Sequence, residues 1–127
     1  LGLIAPLIDF NESHATNPLW TGHARFHLVW QVNALAVTGF FVLFLLWIVP
    51  SQMNILISIS LLYIWLLSFL FALLFLPLYD GKLNDVNGVP PVEVKFFKKK
   101  IEIDRNVQAI SGGLFACTFA LLLVLFN

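Results

Sequence analysis

Apolar residues run through this chain in long blocks, and the polar residues gather between them. Three blocks are long enough to cross a bilayer. Block 28–50 is polar only at Gln31, Asn33 and Thr38. Block 54–76 has Asn54, Ser58, Ser60 and Ser68, and block 107–126 has Gln108, Ser111 and Thr118. At a rise of about 1.5 Å per residue, roughly 20 residues cover the hydrocarbon core. Only a helix or a closed barrel satisfies the backbone there, and none of these blocks alternates as a barrel strand must. The pattern predicts three transmembrane helices. Residues 1–8 are apolar but too short to span, and they predict the end of a fourth, N-terminal helix. Pro50-Ser51-Gln52 reads as a tight turn, so the first two spans form an antiparallel hairpin, and Pro77 closes the second. The expected fold class is an all-α transmembrane helical bundle: three full spans plus the end of a fourth, in one membrane domain over 1–127.

Two polar segments remain, 9–27 and 77–106. The second opens with turn-rich stretches, Tyr79-Asp80-Gly81-Lys82 and Asn84-Asp85-Val86-Asn87-Gly88. It then alternates across 92–104. Val92, Val94 and Phe96 share one strand face, as do Ile101 and Ile103, which predicts a small hairpin turning at residues 97–99. A short amphipathic helix on the membrane surface is the rival reading.

Composition agrees with the blocks: the chain is 60% hydrophobic and 11% charged, with a mean hydropathy of +0.91. A soluble domain is nearer a quarter charged, so the class is integral membrane protein. The formal net charge is zero, which gives no reason to expect a nucleic-acid partner. A single cysteine, Cys117, excludes an internal disulfide and a cysteine metal cluster. Charge layout says more than charge total. Every Lys and Arg (Arg25, Lys82, Lys95, Lys98, Lys99, Lys100, Arg105) and every acid (Asp9, Glu12, Asp80, Asp85, Glu93, Glu102, Asp104) falls in the two polar segments. Spans alternate in direction, so both segments belong on one side. The positive-inside bias makes that side cytoplasmic, with the uncharged turn and the C-terminus opposite.

Segment 9–27 is where chemistry can reside, because it holds all three histidines: His14, His23 and His27. His23 and His27 are i and i+4, so a helix starting near Thr21 carries both on one face, and Gln31 continues that face. Asn17, followed by Pro18, is the other candidate cap. The segment admits three readings. In the first, His14, His23 and His27 ligate a divalent metal, zinc or iron by ligand type, with Asp9 or Glu12 as further donors. The zinc-protease motif His-Glu-x-x-His is absent, since Ala24 follows His23. In the second, the histidines work as acid and base, with Asp9 or Glu12 orienting a ring and Arg25 gripping a lipid head group. In the third, Asn11, Ser13, Asn17 and Thr21 build turns and caps, and the ionisable groups pair with one another.

The run Asp9-Phe10-Asn11-Glu12-Ser13-His14, then Asn17-Pro18-Leu19-Trp20, then His23-Ala24-Arg25-Phe26-His27, resembles an uncharacterised family of small four-helix integral membrane proteins of bacteria and fungi. The resemblance covers 9–27; the spans share only their apolar character. It implies a complete first helix upstream. It also implies that Asp9, Asn11, Glu12, His14, His23, Arg25 and His27 are the residues of interest.

The sequence therefore leads us to expect a small polytopic membrane protein in a non-catalytic role. It would be a subunit or ligand-binding bundle whose His-rich polar end faces a partner, a lipid head group or a metal. Expected partners are membrane lipids and either other membrane subunits or further copies of the chain. The alternative is a small membrane enzyme that uses the His14/His23/His27 cluster on a lipid-like substrate.

Overall fold

A computed structural model describes residues 2, 4–83, 90–96 and 99–126. The architecture is all-α, with one small sheet among the described residues. In chain order the elements are α1 (Ile4–Asp9), α2 (Gly22–Trp47), α3 (Gln52–Leu74), a 3-10 turn (Leu76–Leu78), β1 (Val92–Phe96), β2 (Lys99–Ile103) and α4 (Arg105–Phe126). Helices α2, α3 and α4 are each long and apolar enough to cross a membrane. The chain divides into two compact units, Leu1–Leu61 and Leu62–Asn127, and α3 runs from one into the other.

In the first unit, α2 begins well before the apolar block does. Thr21, in extended backbone, accepts a hydrogen bond on Oγ1 from the Ala24 N–H at 3.2 Å and so caps the first turn. A capped helix needs no apolar residues to start, which is why it opens at Gly22 rather than at Leu28. It also ends early, at Trp47 rather than at position 50, because Pro50 disfavours helical geometry in the residue before it. Ser51 then starts α3: its Oγ accepts from the Asn54 N–H at 3.1 Å, and the Asn54 amide reaches back to the Val49 carbonyl. The expected hairpin turn is therefore built by side chains from both flanks. Helix α1 lies against α2, and the chain just ahead of it approaches α2 through glycine. A Cβ on Gly39 would stand 2.8 Å from the Gly2 Cα, so only a residue without a side chain permits this approach.

In the second unit, α3 and α4 meet through Leu66, which is fully buried, and through Gly113 beside it. Tyr63 and Thr118 join the same helices with a hydroxyl–hydroxyl hydrogen bond of 2.6 Å. Helix α4 is capped by Asp104, whose Oδ1 accepts from the N–H groups of Asn106 (2.8 Å) and Val107 (3.1 Å). Arg105 donates from Nε to the Pro90 carbonyl and ties the helix start to the segment just ahead of β1.

The alternating loop is the expected antiparallel hairpin. Val92 pairs with Ile103 and Val94 with Ile101, so these four form one apolar face. Lys99 belongs to β2 rather than to the turn, because Phe96 pairs with it. Residues 97–98, and the expected turn at 84–88, lie outside the described residues.

Candidate functional site

The polar segment is organised by its amides. Asn11 donates from Nδ2 to the Ile8 carbonyl (2.6 Å), while its Oδ1 accepts from the Ser13 N–H (2.9 Å) and from the Ser13 hydroxyl (2.6 Å). Asn17 is 3% exposed; it donates to the Ser13 carbonyl (3.0 Å) and accepts from the Leu19 N–H (2.9 Å). Asn17 is thus a buried clamp between the turn at 11–16 and the entry to α2. It is not the helix cap, a role that Thr21 fills. Backbone bonds from Ala15 N–H to the Asp9 carbonyl and from His14 and Thr16 to the Asn11 carbonyl complete the turn.

This turn fixes His14. Its Nδ1 lies 2.7 Å from the Ser13 hydroxyl and 3.9 Å from Asp9 Oδ1, and its ring meets Trp20 edge to face, with centroids 5.7 Å apart. The hydrogen-bond roles follow from counting protons. Asn11 Oδ1 is an acceptor only, so the Ser13 hydroxyl gives its one proton to it. The His14 Nδ1 must then carry a hydrogen and donate to Ser13, beside the Asp9 carboxylate. A chain of orientation results, His14 to Ser13 to Asn11, with Nε2 making no hydrogen bond among the described residues. Partial burial raises the Asp9 carboxyl above its ordinary value, and the charge on His14 works against that shift. Glu12 is exposed and makes no hydrogen bond or ion pair among the described residues.

The second group stands on the first turns of α2. His23 and His27 are exposed, with Nε2 atoms 3.0 Å apart and rings nearly perpendicular. One nitrogen of the pair donates and the other accepts. Phe26 and Trp30 flank the histidines at centroid distances of 5.7 and 6.0 Å from His27. A shallow groove of about 350 Å³ is lined by His27, Trp30 and Gln31. Gln31 thus lies where its helical spacing puts it. Arg25 is on the same helix but half-buried, and it makes no ion pair among the described residues.

The structure therefore separates what the spacing suggested as one cluster. Among the described residues, no three His, Cys, Asp or Glu side chains stand close enough to share a metal ion. His14 is drawn into the turn by Asp9, Ser13 and Trp20, while His23 and His27 follow the helix. The three-histidine ligand set is not assembled, and neither Asp9 nor Glu12 supplements the helical pair. The pair alone still fits a metal by distance: two nitrogens each about 2.0–2.1 Å from one ion are separated by roughly 2.8–3.4 Å for bond angles between about 90° and 109°. Its observed separation falls in that interval.

Trp20 and Asn17 were not among the expected site residues. The signal for Asn17 was present in Asn-Pro, a turn dipeptide. Trp20 had none, because its contact with His14 depends on how the loop closes. Comparison with known proteins adds no assignment to this geometry: no family model, no curated protein and no solved structure matches the chain.

Proposed function

We propose that the chain is a small, non-catalytic polytopic membrane protein whose polar end, from Asp9 to Gln31, is a contact surface. It works as a membrane subunit or as a ligand-binding bundle, facing a partner, a lipid head group or a metal. The observation that supports this reading is the division of labour among the histidines. His14 is committed to its turn, while His23 and His27 present two adjacent nitrogens on an exposed helix face. A donor pair of this kind binds or docks. Among the described residues it lacks the third group that a base oriented by a carboxylate, or a catalytic metal with three protein ligands, would use.

In this reading the two charged segments lie on the cytoplasmic side, in line with the positive-inside bias, and the turn at 48–51 lies on the other. Trp20 and Trp30 sit at the charged interface and Trp47 at the opposite one, as interfacial aromatics do. The resemblance of 9–27 to the family of small four-helix membrane proteins belongs to the same proposal.

The test is purification from native membranes, with elemental analysis and mass spectrometry of co-purifying lipids and proteins, for the unaltered chain and for His23→Ala/His27→Ala. Zinc or iron near one equivalent, or a defined lipid or protein, that is lost in the double variant supports the pair as the contact point. An identical set of companions from both chains sinks it.

A further inference from the structure

Helix α2 carries two opposite faces with the same spacing. Leu28, Val32, Leu35, Gly39 and Val42 recur at intervals of four and three and turn inward; Val32 and Val42 are buried. Phe26, Trp30, Asn33, Val37, Phe40 and Phe44 recur at the same intervals two positions away, about 200° around the helix. All six are exposed, the apolar ones between 46% and 69%. This is the heptad spacing of a helix–helix seam, with one amide in it.

An apolar face alone is satisfied by lipid tails; Asn33 is not. It lies about 17 Å along the helix from Gly22 and about 21 Å from Trp47, so it sits inside the hydrocarbon if α2 spans. Its side chain is exposed and makes no hydrogen bond among the described residues. A groove of about 370 Å³ opens beside it, lined by Phe26, Val29, Trp30 and Asn33. A carboxamide there needs both a donor and an acceptor, which hydrocarbon lacks.

We infer that this face binds the same face of a second copy of the chain. Two copies inserted with one topology are related by an axis along the membrane normal, so each residue meets its own equivalent at its own depth. Asn33 is self-complementary: the Nδ2 of one copy donates to the Oδ1 of the other, as amides do across membrane helix pairs. The groove is the hole that an apolar side chain of the facing helix fills. The inference rests on α2 crossing the membrane, and its seam shares only Phe26 and Trp30 with the surface around the histidine pair.

The test uses the full chain in native membranes, with Cys117→Ala as background and iodine as oxidant. Val37→Cys, on the outer face, is expected to give a disulfide-linked product of twice the chain mass, at least tenfold more than Leu35→Cys on the inner face. Adding Asn33→Leu to Val37→Cys is expected to cut that yield at least fivefold, while Asn33→Gln retains it. Energy transfer between unaltered labelled chains in liposomes provides a measurement free of folding defects; it is expected to stay above the collisional level on lipid dilution. Equal products from Val37→Cys and Leu35→Cys overturn the inference. So does a Val37→Cys adduct with a different protein, an Asn33→Leu variant that cross-links fully, or energy transfer that falls to the collisional level. Resistance of the chain to alkaline carbonate extraction separates a failed pairing from a failed membrane reading.

Discussion

Asn17→Ala is the sharpest test of how the polar end is held. The substitution removes two hydrogen bonds of 2.9 and 3.0 Å at a side chain that is 3% exposed. Each is worth about 1 kcal/mol net, and the Leu19 N–H and Ser13 carbonyl left behind add part of their desolvation cost, so the expected loss is about 2–3 kcal/mol. A loss of about 2 kcal/mol changes an opening equilibrium by about 30-fold. The cost is local, because every bond that Asn17 makes stays within the polar segment. Amide hydrogen exchange reads it directly: protection at residues 13–20 is expected to fall by that factor, while the amides of Val32 to Leu45 in α2 keep theirs. Asn17→Asp keeps the acceptor for Leu19 but buries a charge and turns an oxygen towards the Ser13 carbonyl, so it is expected to lose at least as much protection as Asn17→Ala. Unchanged exchange at 13–20 in Asn17→Ala, or an equal change along α2, would refute the clamp.

The Asp9 carboxyl is expected to titrate above its ordinary 3.8, because burial disfavours its charge, and His14→Ala is expected to raise it further by removing the opposing charge. A raised folded-state value makes the protonated form the stabilising one. That contribution is complete below the unfolded value and is lost as pH rises through the folded one. Carbon-13 detection of the carboxyl checks this, and a midpoint at or below 3.8 counts against it. Gly112 and Gly113 are expected to differ sharply. A Cβ at Gly113 would stand 2.7 Å from Leu66 Cδ2, whereas one at Gly112 meets nothing within 4 Å. Gly113→Ala should cost about 1–3 kcal/mol by overpacking, and Gly112→Ala should gain up to about 1 kcal/mol in helix propensity. Unfolding in detergent ranks the two, and equal effects would contradict the contact. In the hairpin, Glu93 faces Glu102, while Lys100 reaches diagonally to Glu93 at 2.9 Å. Glu102→Lys replaces a like-charged pair with an opposite one and is expected to stabilise the hairpin by roughly 0.2–1 kcal/mol. Slower amide exchange at Val94 and Ile101 is the sign to look for; faster exchange would contradict the register.

The spans were legible because hydropathy over some twenty residues outweighs every local signal. The hairpin was legible because Val92, Val94, Ile101 and Ile103 alternate with charges. Helix ends were less so: the apolar block opens at Leu28, but a cap at Thr21 extends the helix into polar sequence. The candidate site split along the same line. His23, His27 and Gln31 follow helical spacing and came out together. His14 lies in a turn with no period to read, and its neighbours are chosen by the amides of Asn11 and Asn17. The outward face of α2 was hidden for another reason: both of its faces are apolar, so hydropathy does not distinguish them, and Asn33 is the one polar mark on the seam named above.

The turn from Asp9 to Trp20 closes largely upon itself, reaching outside to the Pro6 and Ile8 carbonyls of the helix before it. The hydrogen bonds and ring contact described within it link residues no more than six positions apart. Contacts this local form without waiting for distant chain segments. During synthesis, the polar end can take shape as soon as its own residues emerge, before α3 and α4 exist. Order of assembly is therefore written into the range of these bonds. His14 is oriented early, before the helices that follow are made.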